Sequence, residues 1–158
     1  ATESTIESQL YTKEIHSHKP NAQVLGKPCP LFVPLVEEGW LKDPVTVEVA
    51  NRYLEPLLES GIDTLIMGCT HYPLLRSTLR QIMGEKERIQ IVNPAYETAR
   101  ELKAVLERDG LNNDGKQNYE GAMHEFYVSD AANKFKNFAN SILPYGVDTT
   151  QLIHIEDY

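Results

Sequence analysis

A thiol, a hydroxyl and an imidazole follow one another at Cys69-Thr70-His71, directly after Gly68. A cysteine thiolate can take a proton or attack a carbon. A histidine beside it can hold or pass on a proton, and a threonine hydroxyl can bind an anionic oxygen. The setting favours such chemistry. Asp63-Thr64-Leu65-Ile66-Met67 is a short apolar run of the kind that forms a buried parallel strand, and Pro73 stands where a following helix would begin. Cys69 is thereby expected at the carboxyl end of a strand and the amino end of a helix. Open α/β folds bind ligands at that edge, and a helix end favours a thiolate. Pattern alone leaves a small core cysteine equally open. Thr70 and His71 tip the balance toward a working thiol.

The other candidates are weaker. Cys29 lies between two prolines with no acid/base neighbour and reads as structural. Cys69-x-His71 makes a poor metal site, since zinc takes three or four ligands and no second Cys/His pair has suitable spacing. No metal is therefore expected. His16, His18, His124 and His154 read as surface or strand-edge residues. Glu37-Glu38 reads as a solvated loop end, although a carboxylate there could orient a histidine. Thr2 and Thr5 read by pattern as capping and turn residues.

The elements that must position these groups alternate. Ser4-x-x-Glu7 resembles a capping box opening a helix from about residue 4 to 17, with Ile6, Leu10, Tyr11 and Ile15 on its inner rows. Ala22 to Leu25 is expected as a short strand. Lys27 to Gly39 is irregular around Leu31-Phe32-Val33. Asp43-Pro44 starts a helix that ends by Gly61, with Ala50, Leu54 and Leu58 on one inner row, Val45, Val49, Tyr53 and Leu57 on the other, and a kink or early end at Pro56. The 63–67 strand and a helix over about 71–83 follow, then a strand at Ile89 to Val92 and a helix over about 96–109. Leu111 to Gly121 is a polar loop. His124 to Val128 is a strand, Ser129 or Asp130 caps a helix to about Leu143, and Gln151 to Ile155 is the last strand. The fold class is α/β with a mainly parallel sheet. A boundary is expected near Asn93-Pro94, giving segments 1–93 and 94–158.

The 158 residues carry a formal net charge of −8, which argues against a general nucleic-acid surface. No apolar run approaches the roughly eighteen residues that span a membrane. Two cysteines and a polar start fit a reducing cytoplasm. The chain opens on a helix rather than a strand and without Met, as though the first strand of a larger protein were missing.

Gly68-Cys69-Thr70-His71-Tyr72-Pro73-Leu74-Leu75, preceded by Asp63-Thr64-Leu65, resembles the second catalytic motif of bacterial glutamate racemases. Three further stretches match in order. Thr2-x-x-Thr5-x-x-Ser8 is similar to the family's Gly-Thr-x-x-Thr segment, with Ala1 in place of the usual Gly. Cys29-Pro30-Leu31-Phe32-Val33-Pro34-Leu35-Val36-Glu37 and Phe126-Tyr127-Val128-Ser129-Asp130 are the others. The resemblance implies an aspartate/glutamate racemase-like fold, one near-complete domain plus part of a second. It also implies cofactor-independent proton transfer at the α-carbon of glutamate by two cysteines, supplying D-glutamate for peptidoglycan. On matching positions Cys69 is one acid/base residue, His71 assists it, and Glu37 orients or tunes His71. Thr70, Thr2 and Thr5, with His71, would contact the substrate. The family's other cysteine lies in an N-terminal half with no counterpart here, and Cys29 matches a non-catalytic position. The chain alone is therefore expected to be inactive, with homo-oligomerisation or pairing with the missing half to cover its apolar tail faces. The alternatives are a relative acting on aspartate or another amino acid, and a non-catalytic module that keeps the fold.

Overall fold

The computed structural model describes residues 1–84, 89–112 and 124–157. By internal contacts the chain forms two compact units, Ala1–Leu111 and Asn112–Tyr158. In the first unit the helices are α1 (Glu3–Glu7), α2 (Leu10–His18), α3 (Phe32–Glu37) and α4 (Pro44–Glu59). Strand β1 (Thr64–Ile66), a 3-10 turn at Tyr72–Leu75, α5 (Arg76–Met83), β2 (Gln90–Val92) and α6 (Pro94–Arg108) complete it. This grouping keeps α6 with the first unit, whereas the sequence assigns it to the second segment. The second unit contains β3 (Tyr127–Val128), α7 (Ala132–Ile142) and β4 (Gln151–Leu152), closed by a 3-10 turn at Ile155–Asp157. Both strand pairs are parallel: Thr64, Leu65 and Ile66 face Gln90, Ile91 and Val92, and Tyr127 and Val128 face Gln151 and Leu152. The expected α/β class with parallel pairing is what the chain adopts. No helix among the described residues is long and apolar enough to cross a membrane.

The core of the first unit is helical in origin. α4 starts where Asp43 accepts a hydrogen bond from the Val45 amide at 2.8 Å, with Pro44 in the first turn. Thr46, Ala50 and Leu54 face inward from it, four residues apart. The other expected row is only half-buried, and Val45 at its end is exposed. Pro56 does not end the helix, which runs on to Glu59 before Gly61 turns the chain at φ 72°. α5 buries Leu79 and Met83 behind Leu75 of the preceding turn, and Gly84 closes it at φ 54°. Phe32 and Val36 of α3 complete the core, so Lys27–Gly39 holds a helical turn instead of being wholly irregular. Phe32 meets the rings of Tyr53 and Tyr72 edge-on at 5.3 and 5.1 Å. Such aromatic pairs add about 0.5–1.5 kcal/mol each beyond simple burial.

Several local expectations fail for identifiable reasons. The helix expected over 4–17 is two helices, because Gln9 adopts a left-handed conformation at φ 56°. Ser8 holds the break: its hydroxyl donates to the Thr5 carbonyl at 2.8 Å and accepts from the Leu10 amide at 3.3 Å. The capping box does not form, since Thr2 is the N-cap and no side chain bonds the first amides. Leu10 is consequently turned out, 67% exposed. Ala22–Leu25 forms no strand, and β1 is only half-buried instead of buried. The helix expected from residue 71 begins as a 3-10 turn, so its α-helical part starts at Arg76. Helix α6 is capped by Asn93, which accepts from the Ala95 amide at 3.1 Å. It has no fully buried residue, and Leu102 is exposed. The Leu111–Gly121 loop lies largely outside the described residues.

In the second unit the cap is also displaced: α7 follows Ala131, which is left-handed at φ 48°. Asn140 binds both backbone groups of Val147, accepting at 2.7 Å and donating at 3.2 Å. Val147 and Ala139 are buried there, while Phe135 and Ile142 remain partly exposed.

These burials set an expectation for stability. Leu75→Ala should cost about 2–5 kcal/mol, since it opens a cavity at a fully enclosed position. Leu10→Ala should change stability by less than about 0.5 kcal/mol, as an exposed site. Urea unfolding followed by circular dichroism measures both, and equal losses would contradict the packing described.

Candidate active site

The Gly68–His71 loop leaves the carboxyl end of β1. The Met67 amide donates to the Val92 carbonyl at 3.1 Å, the last rung of the β1–β2 ladder. The Cys69 amide then donates back to the Met67 carbonyl at 2.8 Å, which turns the chain sharply. Gly68 is needed for that approach: a Cβ there would stand 3.2 Å from both the Ala1 Cβ and the Tyr11 ring. Cys69 is a half-buried free thiol. Thr70 Oγ1 lies 3.1 Å from His71 Nδ1, and His71 Nε2 lies 3.6 Å from Glu37 Oε1. Hydroxyl, imidazole and carboxylate thus form a chain across two elements. Side-chain exposures of 27% for His71 and 36% for Glu37 keep that ion pair in the weak, screened regime.

Glu37 reaches His71 because the turn behind it is pinned. Thr46 and Thr78, both buried, donate to the carbonyls of Trp40 and Leu41. The turn after α3 is therefore fixed by α4 and α5 together.

The Thr2 segment comes to the same edge. Thr2 Oγ1 and Thr5 Oγ1 are 2.7 Å apart, so one hydroxyl donates to the other and each keeps further hydrogen-bonding capacity. Ala1 holds the segment. Its amine donates to the Lys27 carbonyl at 3.0 Å, and its carbonyl accepts from the Cys29 amide at 3.1 Å. The Tyr72 hydroxyl donates to the carbonyls of Cys29 and Ala1, at 2.8 and 3.1 Å. Burial, with Cys29, Cys69 and Tyr53 nearby, raises the Tyr72 pKa far above its ordinary value, so the hydroxyl stays a donor. Burial lowers the pKa of the Ala1 amine, against a smaller opposing pull from Cys29 and Cys69.

All six candidate residues, Cys69, Thr70, His71, Glu37, Thr2 and Thr5, lie in the first unit, and His71 joins Thr70 to Glu37 directly. Cys69 precedes a 3-10 turn and stands well ahead of α5, so a helix end is a smaller influence on it than the sequence implies. Cys29 is only 6% exposed, and its Sγ faces the Lys27 carbonyl at 3.5 Å. Burial pushes that thiol's pKa up, against a smaller pull from the Ala1 amine and Lys27. Tyr72 is the residue with no role assigned from sequence. Its place between His71 and Pro73 is the only signal of its importance there.

A parallel α/β layer with a thiol, a histidine and paired threonines at its strand ends has the fold of amino-acid racemases. The racemase of Francisella tularensis in complex with D-glutamate superposes with a TM-score of 0.86 at 31% identity, covering 100% of this chain and 57% of that one. The Thermus thermophilus enzyme in complex with β-chloro-D-alanine gives 0.81 at 32% identity, covering 99% and 56%. No protein-family model matches the chain. Sequence relatives narrow the class: the chain is homologous to glutamate racemases over nearly its whole length. It is 38% identical over 155 residues to the glutamate racemase of Neisseria meningitidis serogroup C, covering 98% of this chain and 55% of that protein. With glutamate racemase 2 of Caldanaerobacter subterraneus the identity is 39% over 158 residues, covering 100% and 58%. The chain thus spans little more than half the length of the relatives it matches.

The Tyr72 bonds can be tested separately from the chemistry. Tyr72→Phe keeps the ring against Phe32 but removes the donor to two carbonyls. It should destabilise the chain by about 1–3 kcal/mol. It should also speed amide exchange at Cys29, which bonds Ala1, more than in α4. A uniform increase would argue against a local tie.

Proposed function

We propose that this chain is the portion of a glutamate racemase that supplies one of two opposed acid/base thiols. The observation that carries the reading is the Cys69-Thr70-His71 loop, linked to Glu37 and set at the strand edge that also receives the Thr2–Thr5 segment. The glutamate racemase relatives support it.

In this mechanism the Cys69 thiolate removes the α-proton from one face of glutamate. The bond electrons remain on carbon, delocalised toward the carboxylate. A thiol on the opposite face then donates its proton, giving the mirror-image amino acid and the opposing thiolate. The reverse direction exchanges the roles. Each thiol alternates between protonated and ionised forms, and no electrons are gained or lost, so the cycle needs no redox cofactor. His71 holds or relays a proton beside Cys69, and Glu37 orients its ring. Thr2, Thr5 and Thr70 bind the substrate's carboxylate or amino group through their hydroxyls.

The second thiol comes from outside these residues. Cys29 is the only other cysteine of the chain, and it is enclosed, with a raised pKa. In this reading residues 1–93 form the α/β domain that carries Cys69, and 94–158 the returning segment of the other domain. The product serves peptidoglycan synthesis in the cytoplasm.

Two measurements test the reading. In D2O the 158-residue chain should exchange the α-proton of neither L- nor D-glutamate, followed by proton NMR. Joined to the portion of the Neisseria meningitidis relative that it does not cover, it should exchange both. In that joined protein Cys69→Ser should lower exchange from one isomer by about 10²–10⁴-fold more than from the other. Equal losses from both isomers would refute a one-sided role for Cys69.

A further inference from the structure

The Glu37–His71 pair does not hold itself together. At 3.6 Å, with both side chains partly open to solvent, its attraction is comparable to the entropy lost in fixing the two side chains. What brings the carboxylate to the ring is therefore the backbone that carries each of them. Glu37 is the last residue of α3. The helix ends in a closed turn: the Gly39 amide donates to the Val36 carbonyl at 3.0 Å, and the Trp40 amide reaches back to the Leu35 carbonyl at 2.9 Å. Gly39 supplies the left-handed residue that this closure needs, at φ 75°. His71 sits just ahead of the 3-10 turn that runs into α5.

The two carriers are tied to each other out of solvent. Thr78 of α5, 2% exposed, donates to the Leu41 carbonyl at 2.6 Å. Thr46 of α4, 0% exposed, donates to the adjacent Trp40 carbonyl. A threonine within a helix commonly bonds the carbonyl one turn back. These two reach across to neighbouring peptide groups of another segment instead. A buried hydroxyl left without a partner costs more than a typical hydrogen bond contributes, so neither bond is readily given up. The path from His71 through α5 to Thr78, across to Leu41 and back through the Gly39 turn to Glu37 is a frame. Its last side is the His71–Glu37 contact. Phe32 against the Tyr72 ring fixes the other end of α3 in the same frame.

We infer that Thr46 and Thr78 are positioning residues for His71: their buried hydroxyls set the turn after α3, and that turn delivers the Glu37 carboxylate to the imidazole. The inference rests on the reading of His71 as the proton-handling partner of Cys69, and adds what holds its carboxylate in place. Both threonines are too enclosed to meet a substrate themselves. A group that must stay in one geometry at a solvent-exposed edge needs support from side chains locked by packing and hydrogen bonds, and these two are so locked. Loss of either hydroxyl releases a carbonyl of the turn, lets the end of α3 shift, and moves Glu37 off the ring without removing any group from the site.

The test reads the ring-nitrogen resonances of His71 by NMR in the 158-residue chain at one neutral pH. Glu37→Gln is the reference for a ring that has lost its carboxylate. Thr46→Val and Thr78→Val should move the His71 resonances toward their Glu37→Gln positions. Thr46→Ser and Thr78→Ser keep the hydroxyl and should leave them where the unsubstituted chain has them. Leu54→Ala opens the core on α4 without touching the turn, so it should lower the melting temperature and leave the ring unchanged. Gly39→Ala strains the turn from outside, where an added Cβ meets no neighbour, and should shift the ring even if the valine variants fail to fold. Unmoved resonances in folded Thr→Val chains, or in Gly39→Ala, would overturn the proposal. So would an equal shift in Leu54→Ala, which would mark general loosening. A ring indifferent to Glu37→Gln would overturn it together with the role given to Glu37, whereas a ring that answers only to Glu37→Gln overturns the positioning role alone. None of these readings depends on glutamate turnover.

Discussion

One buried hydroxyl connects the parts of the site. The Tyr72 O–H lies between the carbonyls of Cys29 and Ala1, and the Cys29 amide closes the figure onto Ala1. Three stretches far apart in sequence meet there: the start of the chain, the turn before α3 and the turn after Cys69. Phe32 supports the ring from α3, and Tyr53 braces Phe32 from α4. This tie brings the Thr2–Thr5 segment and the Cys69 turn together beside the start of α3, the helix that ends in Glu37. The ring's enclosure keeps its proton in place across the pH range in which proteins stay folded.

The parts legible in the sequence are those decided by a few neighbouring residues. Asp43-Pro44 announces a helix because a carboxylate cap and a proline in the first turn act locally, and the structure has both. Leu75, Leu79 and Met83 form one face because helical spacing puts them there. Gly68-Cys69-Thr70-His71 stands out since a glycine, a thiol and an acid/base side chain occupy one turn. The resemblance adds Glu37 and the threonines, which spacing alone does not single out.

What failed depended on partners that sequence cannot display. Ser4 and Glu7 satisfy a capping pattern, yet Thr2 takes the cap position and Ser8 with Gln9 breaks the helix. Ala22–Leu25 has strand composition, but a strand exists only when something pairs with it. The helical pattern gives Thr46 and Thr78 no inward place. Their hydroxyls are buried because Trp40 and Leu41 offer carbonyls, a contact made across the fold. Tyr72 is hidden for the same reason: both its acceptors lie more than forty residues away. The sheet contributes little cohesion by itself, since each pair has two short strands. Cohesion in the first unit comes from the α3, α4 and α5 faces, where most of its fully enclosed side chains lie.

The unequal enclosure of the two cysteines has a practical consequence. Cys29 is shut in by the Tyr72 tie, with its thiol held protonated, whereas Cys69 opens toward solvent at the strand edge. The folded chain thus carries a single addressable sulfur without any engineering. A fluorophore or spin label introduced under native conditions will report from the Gly68–His71 turn. Its spectrum then becomes a direct gauge of how ordered that turn is. Appearance of a second labelled thiol marks the moment at which the Ala1–Cys29–Tyr72 junction comes apart.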